Sequence, residues 1–437
     1  MGGGAGSFLT VGAIMTTLLG GNATVGTAQL AYVYGLSAWW FTLGAGLGCV
    51  LLALLTSDKL RSSGETTIGG ILGRRFGGGF RTLSSLCVAA GSFLTLITQL
   101  LSGAAIMASL MPGVPSLVRV CLVAALILLY IVFGGARSTG MVGVVKVLLL
   151  FPAVLLCGII AYRISGGAKV IFSLPKESYF NLFARGVNTD LGAGLSTAFG
   201  ILASQPYATA ILGAKNDRTA RRALRISAFL SPFLGIGGIL VGLSMRLQAS
   251  PELLGDPAAM AAAAKTAFPD FVQGNCPPFL SGLILASLLV AAAGTGAGLL
   301  LGTGTILHHD LIDRITDRYK EPDRALRFSR VCLGVLLFIG GLCALIPTSF
   351  IIDLGFLSLS LRAIAILAPL LTALYYKGAV SPKVPIYSTV AALIMTVVAE
   401  LLDLSIGSSF AGLITSVLFT AVGLLVCRKG SAADLKR

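Results

Sequence analysis

The chain has 437 residues, 56% of them hydrophobic and only 11% charged, at a mean hydropathy of +0.92. A soluble fold of this size does not hide that much apolar surface. The formal net charge of +15 invites a nucleic-acid reading, but its distribution along the chain argues for a topology signal instead and against a nucleic-acid partner.

Blocks of nearly uncharged residues, long enough to cross a hydrocarbon core, recur near 8–33, 36–56, 82–109, 115–134, 140–163, 190–213, 224–246, 279–305, 328–346, 351–376, 385–405 and 409–427. The fold class is therefore all-α and polytopic, with about 12 spans; the strand alternation of an outer-membrane barrel is absent. With the amino terminus inside, 24 of the 32 Lys and Arg fall on the cytoplasmic side and 7 on the other. That bias places both termini in the cytoplasm of a cell-membrane protein and suits contact with lipid headgroups.

The first span carries "LLGGNATVGT" at mid-membrane, where two glycines, an Asn and a Thr weaken the helix. The 57–81 segment mixes charge with "TIGGIL" and reads as an amphipathic helix between spans. Span five contains Lys146. Two readings stand: a long stem snorkelling to the cytoplasmic interface, or an ammonium held inside the bundle. Span six contains "LASQPYATAI", and Pro206 there removes an N–H and clashes with the preceding turn. The 247–278 segment reads as a non-spanning connection. His308 and His309 close span eight as a solvated helix end. Span ten holds Arg362, as a binder of a carboxylate or phosphate or as a structural cation satisfied by carbonyls or Asp353. Residues 428–437 form a cytoplasmic tail. The eight cysteines are scattered and read as small packing residues.

The two helix-weakening clusters lie five spans apart, an odd number, so two such repeats run in opposite directions. Paired interruptions at matching places in inverted halves point to a transporter's mid-membrane binding site. The alternative is a glycine-rich packing face. Interrupted backbone is tolerated at membrane depth only where protein encloses it, and there its carbonyls are available to ions and solutes.

"GGNATVGTAQLAYVYGLSAWWFTLG", "ETTIGGILGRRFG", "YIVFGGARSTG", "SQPYATAILGAKNDRTARRAL" and the segment from "AFPDF" to "HHDLID" resemble, in order, the sodium/solute symporter family, relatives of proline, pantothenate, sialic acid and sugar symporters. The resemblance implies the LeuT fold, a 5+5 inverted repeat (8–163 and 190–376) with two trailing helices (385–427). It carries a coupling-cation site onto the carbonyls of Gly21, Thr24 and Ala291 and onto Gly294 and Thr295. The family has a hydroxyl at the position of Gly294, so one ligand is missing. A second sodium site would fall on Gly143, Ala297 and Gly298, which have no side-chain oxygen, so that site is absent. Lys146, if it reaches the first site, cycles a proton or stands in as a fixed cation. Asn22 and Gln29 beside the first interruption, Gln205 and Tyr207 beside the second, and Arg362 are the solute-binding candidates.

The function expected is secondary active symport of a small organic solute, coupled to sodium or, with its ligands depleted, to a proton; the alternative is an uncoupled facilitator. No cofactor is expected. An enzyme is not, because no phosphate loop, HExxH or membrane-depth Ser/His/Asp set occurs and only two His exist.

Overall fold

The computed structural model describes residues 4–134, 139–171, 173–250, 256–312, 322–346, 350–402, 404 and 407–434. Among them no strand forms beyond one backbone bridge between Ala5 and Ala214. Every apolar block expected to span contains helix. The helices are α1 (Ser7–Leu18), α2 (Thr27–Tyr34), α3 (Trp40–Leu51), α4 (Ser57–Ser62), α5 (Ile68–Phe76), α6 (Gly78–Leu110), α7 (Ser116–Gly134) and α8 (Thr139–Ile164). There follow two short ones, α9 (Ala168–Ile171) and α10 (Lys176–Tyr179), then α11 (Val187–Leu202), α12 (Gln205–Gly213) and α13 (Asp217–Leu247). The rest are α14 (Pro257–Asn275), α15 (Pro278–Ile306), α16 (Pro322–Ala344), α17 (Ile351–Tyr375), α18 (Lys383–Leu401) and α19 (Ser408–Asp434).

Eight helical stretches among the described residues are long and apolar enough to cross a membrane. Large apolar side chains face outward, such as Val132 at 74% exposure, while Ser, Thr and Gln lie inside. That inversion suits a bundle whose outer solvent is lipid. The protein is a multi-pass membrane protein.

The packing has an internal symmetry. The first half-helix α1 lies on α8, and α11 lies on α17 in the same relation five spans later. Helix α13 covers α1 and α2 as α3 covers α11, and α8 meets α15 as α17 meets α6. This is the pattern of a 5+5 inverted repeat, with α18 and α19 paired with each other and lying against α17.

Three details differ from the sequence reading. The 247–278 connection contains a 19-residue helix, α14, whose Phe268, Phe271 and Val272 are buried against the bundle. Its alanine run favours helix, and the Asp256 side chain caps its first turn. His308 is buried, packed beside Phe328, rather than solvated; the side chain of His309 lies outside the description. The first residues of the expected tail continue α19 to Asp434, and 435–437 lie outside the described residues, as do Arg137, Arg314, Arg318 and Lys320 from the charge pattern.

Candidate functional site

Helix α1 stops at Leu18 because its continuation meets side chains of α6 and, 3.1 Å from where a Cβ on Gly20 would stand, Thr295 Oγ1 of α15. The Oε1 of Gln99 on α6 accepts the Gly21 N–H at 2.8 Å. A Cβ on Gly20 would stand 2.7 Å from that oxygen, and one on Gly21 would stand 2.1 Å from Ser102 Oγ. The two glycines are there for close approach. After the bend the chain resumes as a π-helical turn, Asn22–Gly26, and enters α2. The interruption is thus confined to Leu19–Gly21, and Asn22 to Thr24 are wound rather than open.

A side-chain cation, Lys146, lies at this break. Lys146 is 3% exposed; its Nζ donates to the Ala291 carbonyl at 2.8 Å and to Thr295 Oγ1 at 3.1 Å. The Thr295 hydroxyl faces the carbonyls of Thr16 at 2.9 Å, Ala291 at 2.9 Å and Leu19 at 3.4 Å. Snorkelling is therefore not what Lys146 does. One turn earlier on α8, Gly143 has no Cβ, and one placed there would lie 2.1 Å from the Gly12 carbonyl and 2.0 Å from Thr16 Oγ1. That contact presses α8 onto α1 and turns Lys146 inward. Gly294 makes the room, since a Cβ on it would stand 3.1 Å from both Cε and Nζ of the lysine. The bare Gly294 and the inward lysine therefore share one place between α8 and α15.

The carried-over carbonyls need correction. Those turned toward Thr295 belong to Thr16 and Leu19. The Gly21 carbonyl accepts the Gly26 N–H at 2.8 Å, and the Thr24 carbonyl accepts the Thr27 N–H. Both are spent inside the resumed helix, which the sequence reading took as open backbone. Ala291, Gly294, Thr295 and Lys146 lie together at the first break.

At the second break α11 ends at Leu202, Ser204 is extended, and Pro206 lies in the first turn of α12. Pro206 thus starts a helix, where its missing N–H costs nothing, rather than kinking one. Arg362 reaches this break. It is 2% exposed; Nη1 donates to Ser204 Oγ at 2.9 Å, and Nη2 meets the Gly91 carbonyl at 2.9 Å, Thr95 Oγ1 at 2.8 Å and Ser358 Oγ at 2.6 Å. Both terminal amines meet protein oxygens while the buried Nε has no hydrogen-bond partner, so Arg362 braces α17, α6 and the break. Asp353 is not its partner; that carboxylate pairs with Arg185 at 3.0 Å.

The other solute candidates do not converge. Gln205 accepts the Ile68 N–H at 2.9 Å and donates to the Thr66 carbonyl at 3.2 Å, tying α12 to α5. Gln29 accepts the Ile351 N–H at 2.9 Å, tying α2 to the start of α17. Tyr207 is buried. Asn22 remains at the first break: it lies against Gly355, and its Oδ1 is buried without a hydrogen-bond partner.

Both ends of the bundle are latched. At the end bearing the amino terminus, Arg61 pairs with Asp217 and donates to the Ile211 and Ala214 carbonyls. Arg81 and Ser85 there hold the buried Asp310 at 2.6 Å and 2.8 Å. At the other end Arg185 joins buried Asp190 at 2.7 Å and Asp353, with Ser37 also on Asp190. Gln99 and these latches escaped the sequence reading. A Gln in the middle of apolar α6 was a usable signal; the partners of loop arginines were not.

The comparisons agree with this architecture. Residues 1–382 match the sodium:solute symporter family. The chain is 24% identical over 372 residues to the osmoregulated proline transporter OpuE of Bacillus subtilis (strain 168), covering 80% of this chain and 72% of that protein. It is 23% identical over 349 residues to the same organism's protein named uncharacterized symporter YwcA, covering 76% and 67%. Among solved structures, a substrate-bound, outward-open Na+-coupled sialic acid symporter superposes with a TM-score of 0.75 at 18% identity, over 98% of this chain and 90% of that one. Mhp1, a nucleobase-cation-symport-1 family transporter in a closed, ligand-bound conformation, gives 0.59 at 13% identity, over 98% and 93%.

Proposed function

This chain belongs to the sodium:solute symporter family, and we propose that within it the ammonium of Lys146 has taken the place of the coupling sodium. The protein is a cation-coupled secondary transporter with the LeuT-type fold. The observation that carries the proposal is the pair of contacts from Nζ to the Ala291 carbonyl and Thr295 Oγ1. The carbonyls of Thr16, Leu19 and Ala291 with one hydroxyl leave a sodium ion short of the compact oxygen shell the family offers, and the lysine fills the space that is left.

A tethered cation cannot cross the membrane, but the proton it carries can. The exchangeable ion at this site is then H+. Releasing it lets α1 and α15 part at Thr295, and rebinding it draws them together. Transport by alternating access follows, with the 8–163 and 190–376 repeats moving about the two breaks and both termini in the cytoplasm of the cell membrane. The solute is a small organic molecule seated between the breaks, with Asn22 as its first contact. The ion pairs that latch both ends of the bundle favour coupled transport over an uncoupled pore.

The test is gradient-driven uptake into proteoliposomes, with proline and sialic acid, the solutes named for relatives, as first probes. An inward proton gradient drives accumulation and a sodium gradient at constant pH does not. Accumulation driven by sodium and indifferent to pH removes the proposal.

A further inference from the structure

We propose that the transported solute carries a net negative charge, a carboxylate or similar anion together with a hydrogen-bond donor, seated between the two helix breaks. The inference deepens the functional reading above and rests on its placement of the solute. Each break is met by one buried cation, Lys146 through Thr295 at the first and Arg362 through Ser204 at the second. Among the described residues neither has a carboxylate within ion-pair distance. Both are held only by neutral oxygens, an arrangement that leaves the enclosed region positive and is costly without a counter-charge.

Helix α6 fixes the spacing. Gly91 and Thr95 grip Arg362, and Gln99, one turn beyond Thr95, caps Gly21 at the first break. Gly20 lies between Gln99 and Thr295, the partner of Lys146, so the two cations lie on the order of 10 Å apart. A unit negative charge about 8 Å from each, at an effective dielectric near 20, is favoured over a neutral isostere by a factor of ~30 per cation. The acids that could oppose this are at helix ends. Asp353 and Asp190 share Arg185, roughly 13 Å along α17 from Arg362, and Asp310 is neutralised by Arg81.

A second observation concerns the first break. The buried Ser102 Oγ and Asn22 Oδ1, on either side of Gly21, have no hydrogen-bond partner. A hydroxyl that can donate to an anion and an amide oxygen that accepts from a donor describe a ligand carrying both groups. A hydroxy acid fits; an ammonium-bearing solute meets two cations of its own sign.

The measurement is thermal unfolding of the full chain in lipid nanodiscs, at constant ionic strength, with glycolate, lactate, 3-hydroxybutyrate and gluconate each set against its own amide. At least one acid raises the melting temperature by about 3 °C or more while its amide does not. Lys146→Gln and Asn22→Leu each reduce that rise, and either variant suffices if the other does not fold. Stabilisation by amides equal to that by acids, or by none of the acids, overturns the proposal. These outcomes are independent of sodium: an amide that binds without sodium leaves the Lys146 reading standing and removes this one. An acid whose uptake requires sodium does the reverse.

Discussion

Replacing Lys146 by Ala and Gly294 by Ser together should give this protein a sodium site that the wild type lacks. A Na+ among the oxygens of Thr16, Leu19, Ala291 and Thr295 would lie about 4 Å from the lysine Nζ, where repulsion at an effective dielectric of 20 is about 4 kcal/mol, a factor of ~1,000 in affinity. Lys146→Ala removes that term, and the serine restores a ligand oxygen. Each single change should be worse than the pair. Gly294→Ser alone sets a Cβ 3.1 Å from Cε and Nζ and 3.2 Å from the Tyr130 ring, an overpacking that costs about 1–3 kcal/mol. Lys146→Ala alone leaves Thr295 and the Ala291 carbonyl without their donor and one hydroxyl short of a shell. The assay is the melting temperature of the four proteins in nanodiscs between zero and 100 mM NaCl, balanced with choline chloride. At a hundred times Kd, bound sodium adds about 2.7 kcal/mol, visible as a shift of a few degrees in the double variant only. An equal shift in the wild type would refute the reasoning, because the lysine would then not compete with the ion.

Gln99→Ala should lower stability by about 1–3 kcal/mol, since it leaves the buried Gly21 N–H unpaired; chemical denaturation in mild detergent measures it. Gly143→Ala should cost more than an ordinary overpacking, because the obstructing atom 2.1 Å from the new Cβ is the Gly12 backbone oxygen and cannot rotate away; reduced yield of folded protein on size-exclusion chromatography is the readout. Arg185→Gln strips the fully buried Asp190 of its cation and should destabilise by about 3 kcal/mol.

That the two helices break was legible because the residues that permit it are local. Glycines and a proline at membrane depth are visible in one line of sequence, and so is their odd spacing. Which carbonyls face the cation was not legible. The register depends on where α1 stops, and α1 stops at Leu18 because Gln99 and Thr295 meet it there, residues distant in the chain. The same limit misplaced Gln205, whose amide looked free in "LASQPY" but is engaged by the backbone of the 66–68 segment. Lys146 left two readings open, and the decision between them rests on Gly143 and Gly294, two absent side chains whose effect exists only once α8, α1 and α15 are packed. Arg362 was visible as a costly intramembrane charge, but its four oxygens come from α6, α17 and the extended Ser204.

The central claim is that a lysine ammonium occupies the position where relatives in the family bind their coupling sodium. Equilibrium binding of 22Na+ to the purified wild-type protein in nanodiscs tests it without knowledge of the solute. The account predicts no saturable binding up to about 10 mM, where the estimated repulsion of about 4 kcal/mol weakens a millimolar site ~1,000-fold. Saturable, stoichiometric binding of 22Na+ in the millimolar range with Lys146 intact would contradict it.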